Sequence, residues 1–207
     1  HGSITFIGTV SPAGGNLKEP VTESTKKATR CFYALAQKRA DNKRYPAIDP
    51  IMSYSKYLEY PEFQKYAEEH ISDRFIAAVE EMKILMQRAG ESNDQINILG
   101  DDGVPLEYHI RFWRGELIDF VILQQDAFDE IDAMTPMKRQ MEMVDLVIDI
   151  CRREFPFEHF EEVSGFFKKL INDGKQLNYT AYETDEYNQR KAAIETAVRE
   201  RAETVNA

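Results

Sequence analysis

The sequence is poor in the residues that build catalytic centres, and each shortage excludes something. Only four histidines occur, His1, His70, His109 and His159. None falls in an H-E-x-x-H or H-x-x-x-H pattern and no C-x-x-C is present, so a dedicated zinc site is not expected. The two cysteines, Cys31 and Cys151, are far apart and set among apolar neighbours. That placement predicts reduced, buried thiols in a cytosolic compartment rather than a disulfide framework. No G-x-x-x-x-G-K-[ST] exists, because the sole Gly-Lys, Gly174-Lys175, is followed by Gln176 and has no glycine five positions before it. A phosphate cradle of that type is therefore absent from these residues. Positive charge is also scarce: 26 Lys and Arg face 36 Asp and Glu, a formal net charge of -10. Such a surface repels a phosphate backbone, so nucleic acid is not an expected partner. No apolar run approaches the roughly 20 residues that span a bilayer, and the start lacks the basic and apolar regions of a signal peptide. A soluble chain is expected, one that could still dock onto a membrane complex.

What is present is a 207-residue chain with 43% hydrophobic residues, enough to bury a sizeable core. Its first fifty residues differ in texture from the rest. Ser3 to Val10 is a β-branched and aromatic run halted by Pro12, Gly14 and Gly15, which reads as a strand and a turn-rich loop. A lone strand cannot satisfy its own backbone, so it is expected to pair with Thr29 to Leu35 or with a sheet outside this sequence. Glu19-Pro20 and the cluster Thr22 to Thr25 read as an irregular connection, and Ala36 to Lys43 as a short helix ending before Tyr45-Pro46.

From Pro61 onward the apolar period is helical. One long or two consecutive helices are expected up to Gly90. Ser92 and Gln95 match a capping box for a further short helix that stops at Gly100. An acidic turn, Asp101 to Val104, precedes a helix opened by Pro105 and running up to Gln124-Gln125-Asp126, with Phe120 or Val121 on its apolar face. Later helices are expected from Thr135-Pro136, across Phe160 to Asp173-Gly174, and from about Thr184, the last with a narrow stripe of Tyr187, Ile194, Val198 and Val205. The fold class is thus mainly α, a bundle of antiparallel neighbours with short loops.

Taken alone, the candidate site residues have plain readings. The carboxylates Asp126, Asp129, Glu130 and Asp132 are a solvated acidic face before they are a metal or acid/base group. Tyr45 suits a loop aromatic under Pro46, Phe128 a core residue between helices, and Asp101-Asp102-Gly103 an ordinary turn.

Four segments in order change this reading: GSITFIGTVSPAGGNLKEPVTEST, RYPAIDPIMSYSKY, INILGDDGVPLEYHI and LQQDAFDEID. Together they resemble the C-terminal portion of the catalytic A subunit of V/A-type rotary ATPases, with the SPAGG loop and the LQQDAFDEID run the most distinctive strings. The resemblance implies a remnant of a nucleotide-binding α/β domain over residues 1–50 and a helical domain over 51–207. It implies that the P-loop and the catalytic glutamate lie upstream and that an arginine finger comes from a neighbouring B subunit, leaving this chain unable to split ATP alone. The residues it places at the adenine end of an ATP/ADP pocket are Tyr45, Gln125 and Phe128, with Mg2+ held elsewhere in the intact subunit and no nucleotide held tightly here. Many relatives carry Phe where Tyr45 stands. The resemblance also implies that Asp101, Asp102, Gly103, Val104 and Pro105 push on the central stalk. Ser11, Pro12, Gly14 and Gly15 then face the inside of an alternating hexameric ring with B subunits. That places the chain in the soluble cytoplasmic head of an ion pump or synthase. A different class of reading, a stand-alone acidic helical interaction module, stays open on composition.

Overall fold

The computed structural model describes residues 2–203. His1, and Val205 on the expected stripe of the last helix, lie outside the described residues. The chain is mainly helical, with α1 (Pro20–Ala28), α2 (Gln37–Asp41), α3 (Pro61–His70), α4 (Phe75–Leu99), α5 (Leu106–Ile118), α6 (Met137–Arg152), α7 (Phe160–Asn178) and α8 (Asp185–Glu203). Proline opens or precedes α1, α3, α5 and α6, where its missing N–H costs nothing and its fixed φ already suits a helix. Two short antiparallel strands, β1 (Cys31–Phe32) and β2 (Tyr54–Ser55), pair Cys31 with Ser55 and Phe32 with Tyr54.

Several expectations fail for identifiable reasons. Ser3 to Val10 does not pair with Thr29 to Leu35, because β1 takes β2 as its partner; Ile4, Phe6 and Ile7 are exposed, which leaves the expected alternative of a sheet outside this sequence. Glu19 to Thr25 is the start of α1 rather than an irregular connection. The Glu19 carboxylate accepts the Thr22 N–H at 2.9 Å and its hydroxyl at 2.7 Å, capping the helix despite its threonine-rich composition. α4 runs unbroken through Gly90, and Ser92 is buried inside it instead of capping a new helix. The glycine's cost of about 1 kcal/mol is outweighed by close packing on α5. A Cβ on Gly115 would lie 2.2 Å from the Cβ of Ala89, so the two helices approach as nearly as backbones allow. α7 likewise passes through Gly174, whose missing Cβ makes room for Val121 Cγ2, which would otherwise stand 2.8 Å away. Gly115 and Gly174 are close-approach positions whereas Gly90 has open space around it, and periodicity cannot tell such helix-interior glycines from helix stops.

The core lies among α5, α6, α7 and α8, with Leu117, Ile118, Val147, Ile150, Val163, Phe167 and Leu177 nearly inaccessible. Phe155, Phe166 and Phe167 pack as a ring cluster with centroids 4.9 to 6.3 Å apart. Tyr187, Ile194 and Val198 are the narrow buried stripe of α8. Cys151 is buried as expected, whereas Cys31 is half-buried, with its Sγ 3.2 Å from Ser55 Oγ.

One irregularity positions the site. After Ile118, α5 widens into a π-helical turn over Asp119–Leu123, closed by the Gln124 N–H donating to the Asp119 carbonyl at 3.0 Å. Within the wider turn Val121 stays in the core, while Phe120 is half-buried against the core and lines the cavity described below. The chain then leaves the bundle beside the segment Lys43 to Pro46.

Candidate functional site

The small α/β unit is clamped to the end of α5 by ion pairs. Arg39, at the middle of α2, donates to both oxygens of Asp119 at 3.1 and 2.7 Å. Arg44 donates to the same carboxylate and to both oxygens of Glu116, the latter at 2.9 and 2.8 Å. Asp119 is only 2% exposed, so its carboxylate is shielded from water and held by these two guanidinium groups. Burial works to lower the Arg44 pKa, but the hydrogen bonds and charges of Glu116 and Asp119 prevail and raise it. The backbone follows suit: the Arg44 N–H donates to the Arg39 carbonyl at 2.8 Å, and the Gln125 N–H to the Tyr45 carbonyl at 3.0 Å. The Tyr45-Pro46 peptide between these contacts is cis.

Above the clamp opens a cavity of about 580 Å³, within the size range of small-molecule pockets. Tyr45, Gln125 and Phe128, expected together on an adenine, all line it. Phe128 is 99% exposed, which removes the reading of a core residue between helices. Its position is set by a turn in which the Asp126 carboxylate accepts the Phe128 N–H at 2.9 Å. Tyr45 is 54% exposed, with its hydroxyl 3.4 Å from the Ala40 carbonyl. The Gln125 side-chain amide donates to the Asp132 carbonyl at 2.7 Å, tying two residues that line the cavity.

Sequence reasoning missed Phe120, Gln124, Asn178 and Tyr179, with Lys43 and Lys175 at the rim. Phe120 was hidden by the π turn, which periodicity cannot foresee. It is flanked by cations, Arg44 at 4.7 Å and Lys175 at 4.4 Å from the ring centre. Asn178 and Tyr179 lay beyond the expected stop at Gly174. Burial chiefly, then the charges of Asp126 and Asp132, raise the Tyr179 phenol pKa, leaving it a neutral donor 3.4 Å from Asp126.

The acidic run has a local explanation. Asp126 Oδ1 ties Phe128, Asp129 Oδ1 accepts the N–H groups of Ile131 and Asp132 at 3.0 and 2.8 Å, and Asp132 Oδ2 accepts that of Asp126 at 2.6 Å. These carboxylates fold the turn that presents Phe128. Burial is the main influence on Asp132 and raises its pKa.

The other expected sites lie apart from the cavity. Asp101 to Gly103 form a single 3-10 turn between α4 and α5, exposed and followed by half-buried Val104 and exposed Pro105. Gly100 takes φ 80°, a left-handed conformation that favours glycine and reverses the chain. The turn is anchored by His109, buried against Phe160, whose Nε2 lies 3.0 Å from the Asp101 carbonyl. Ser11, Gly14 and Gly15 are exposed and Pro12 half-buried. Gly14 and Gly15 adopt φ 62° and 70°, and none of the four lines the cavity.

Comparison with known proteins explains why these segments occur together. The family model for the ATP synthase alpha/beta family, nucleotide-binding domain, matches residues 1–55. That for the C-terminal domain of V and A type ATP synthase matches residues 64–164. The V-type ATP synthase alpha chain of Chlamydia pneumoniae is 37% identical over 94% of this chain and 32% of its own length. The chain belongs to the V/A-type ATP synthase family. The corresponding alpha chain of Protochlamydia amoebophila is 34% identical over 97% of this chain and 33% of its own. The chain therefore spans about a third of the length of the curated V-type relatives it matches, in their C-terminal portion. A solved structure described as a unique ATP synthase subunit NeqB from Nanoarcheaum equitans superposes with a TM-score of 0.51, covering 68% of this chain and 32% of its own at 19% identity. That likeness concerns the fold alone.

Proposed function

We propose that this chain is the C-terminal part of the ATP-binding subunit of a V/A-type ATP synthase, in which it closes the nucleotide pocket on the adenine side. The observation that carries the reading is the shared cavity of Tyr45, Phe128 and Phe120. These are three rings from two distant segments of the chain, lining one cavity. An adenine offers two π-faces, and rings brought together in this way cover it without demanding a fixed hydrogen-bond pattern. No P-loop occurs in the chain, and among the described residues no group of carboxylates and histidines is arranged to hold a metal ion. In this proposal Mg2+ and the triphosphate are held by other residues of the intact subunit.

In this proposal residues 1–50 complete the nucleotide-binding unit and 51–207 form the helical domain. ATP hydrolysis or synthesis coupled to proton or sodium movement belongs to the complete complex on the cytoplasmic face, with B subunits alternating in the ring. The isolated chain turns over no ATP. The exposed turn Asp101 to Pro105 is its contact with the central stalk. The locked pair α4 and α5 serves as the lever, because helices packed at Ala89 and Gly115 move as one body. Ser11 to Gly15 face the inner side of the ring.

The test is titration of the 207-residue chain with ADP and with a base-free sugar phosphate, followed by ligand-observed NMR into the millimolar range. ADP alone should bind. Tyr45→Ala and Phe128→Ala should each weaken it by about tenfold, since stacking is worth about 1–3 kcal/mol per base. Equal binding of the sugar phosphate, or no effect of either substitution, would overturn the reading.

A further inference from the structure

We infer that Asp119 is a positioning residue for the pocket. Through Arg44 it sets where Tyr45 stands, and through its own carbonyl it sets the turn that delivers Phe120 and Gln124. The inference rests on the base pocket proposed above and goes beyond it, because Asp119 is not among the residues lining the cavity.

Three features of this one residue converge. Its carboxylate is almost inaccessible yet holds two guanidinium groups, Arg39 and Arg44, from a segment about 75 residues away along the chain. Its carbonyl accepts the Gln124 N–H that closes the π turn, so the same residue ends α5 and starts the wall of the pocket. Arg44, besides its bonds to Asp119 and Glu116, lies over the Phe120 ring and immediately precedes Tyr45. A buried ion pair gains little stability over an apolar substitute, but its directional, two-pronged geometry fixes register. Arg44 is thus held to the last turn of α5 by a fork on Glu116 and a bond to Asp119, and the next residue can only follow. Phe128 is placed differently. Its turn is tied by Asp126, Asp129 and Asp132, none of which touches the arginines. The side-chain ties of the two sides are therefore separate, and the Asp119 carboxylate, as distinct from its carbonyl, acts on the Tyr45 side.

That separation makes the role measurable by a double-mutant cycle on ADP affinity in the 207-residue chain. Asp119→Asn should weaken ADP by about tenfold, and in that background Tyr45→Ala should cost less than about twofold more, because the ring is already misplaced. Phe128→Ala should cost its full, roughly tenfold, amount in both backgrounds. A general loss of structure would make all three additive or abolish binding together, and circular dichroism of each variant separates that case. Should Asp119→Asn not fold, Arg44→Lys runs the same cycle. It keeps the charge but loses the fork, and should give about threefold weakening with the same non-additivity toward Tyr45 alone. Additive effects of Asp119 or Arg44 with Tyr45 in folded variants would overturn the inference while leaving the base pocket standing. Failure of the parent chain to bind ADP would instead remove the pocket itself and this role with it.

Discussion

The N–H of Gln125 donates to the carbonyl of Tyr45 at 3.0 Å, a single backbone bond that joins two motifs eighty positions apart in the chain. It joins two residues that line the cavity, and Tyr45 directly follows Arg44, which pairs with Asp119, so the aromatic wall and the helical bundle are mechanically continuous. The consequences reach beyond the pocket to packing, thiol reactivity and pH response.

Helix packing offers the first check. Gly115→Ala would raise helix propensity by about 1 kcal/mol, yet the new methyl meets Ala89 at 2.2 Å. Overpacking of this kind costs about 1–3 kcal/mol, so the net effect should be a lower melting temperature. Adding Ala89→Gly should recover most of the loss. If Gly115→Ala proves stabilising, α4 and α5 are not locked as described.

Thiol labelling reads the fold cheaply. Burial pushes the Cys151 thiol up to about 12, which keeps it a protonated, unreactive group throughout the neutral range. Cys31 is only half-buried. Iodoacetamide at pH 8 should therefore modify Cys31 in the native chain and both cysteines after denaturation, as mass spectrometry of peptides would report. Equal rates at the two sites in the native state would contradict the placement of α6.

Asp132 carries a pH signature. Burial raises its folded pKa above the unfolded value, so the folded chain binds this proton more tightly. The associated stability is present below the ordinary aspartate pKa of about 3.9 and is lost as pH rises through the folded value. Asp132→Asn lacks this titration. The melting temperature of the variant relative to the parent should therefore rise between pH 3.5 and pH 7, and a flat or falling difference would count against a desolvated carboxylate there.

The long helical segments were legible because their apolar residues recur at helical spacing and prolines mark their starts. Tyr45 and Phe128 were brought to one place by resemblance, since nothing in their own spacing reveals a contact made across the chain. What stayed hidden was of two kinds. Gly90, Gly115 and Gly174 look alike in sequence, yet α4 passes through Gly90, which has open space around it, while the other two sit against Ala89 and Val121. The π turn at Asp119 redirects Phe120 by inserting one residue into a regular helix, and a period of 3.6 has no term for it. Long-range ion pairs such as Arg44 with Asp119 are equally silent, because every charged residue in a sequence looks solvated until the fold buries it. The run Ser3 to Val10 is strand-like in composition and forms no strand within this chain, where no segment is free to pair with it.

The most direct measurement is a map of backbone amide shifts of the 207-residue chain as ADP is added. The account predicts perturbations at Lys43 to Tyr45, Phe120, Gln124 to Phe128 and Tyr179, with the turn at Asp101 to Gly103 and the segment Ser11 to Gly15 unmoved by direct contact. Shifts confined to those outlying segments, or none at millimolar ADP, would contradict it.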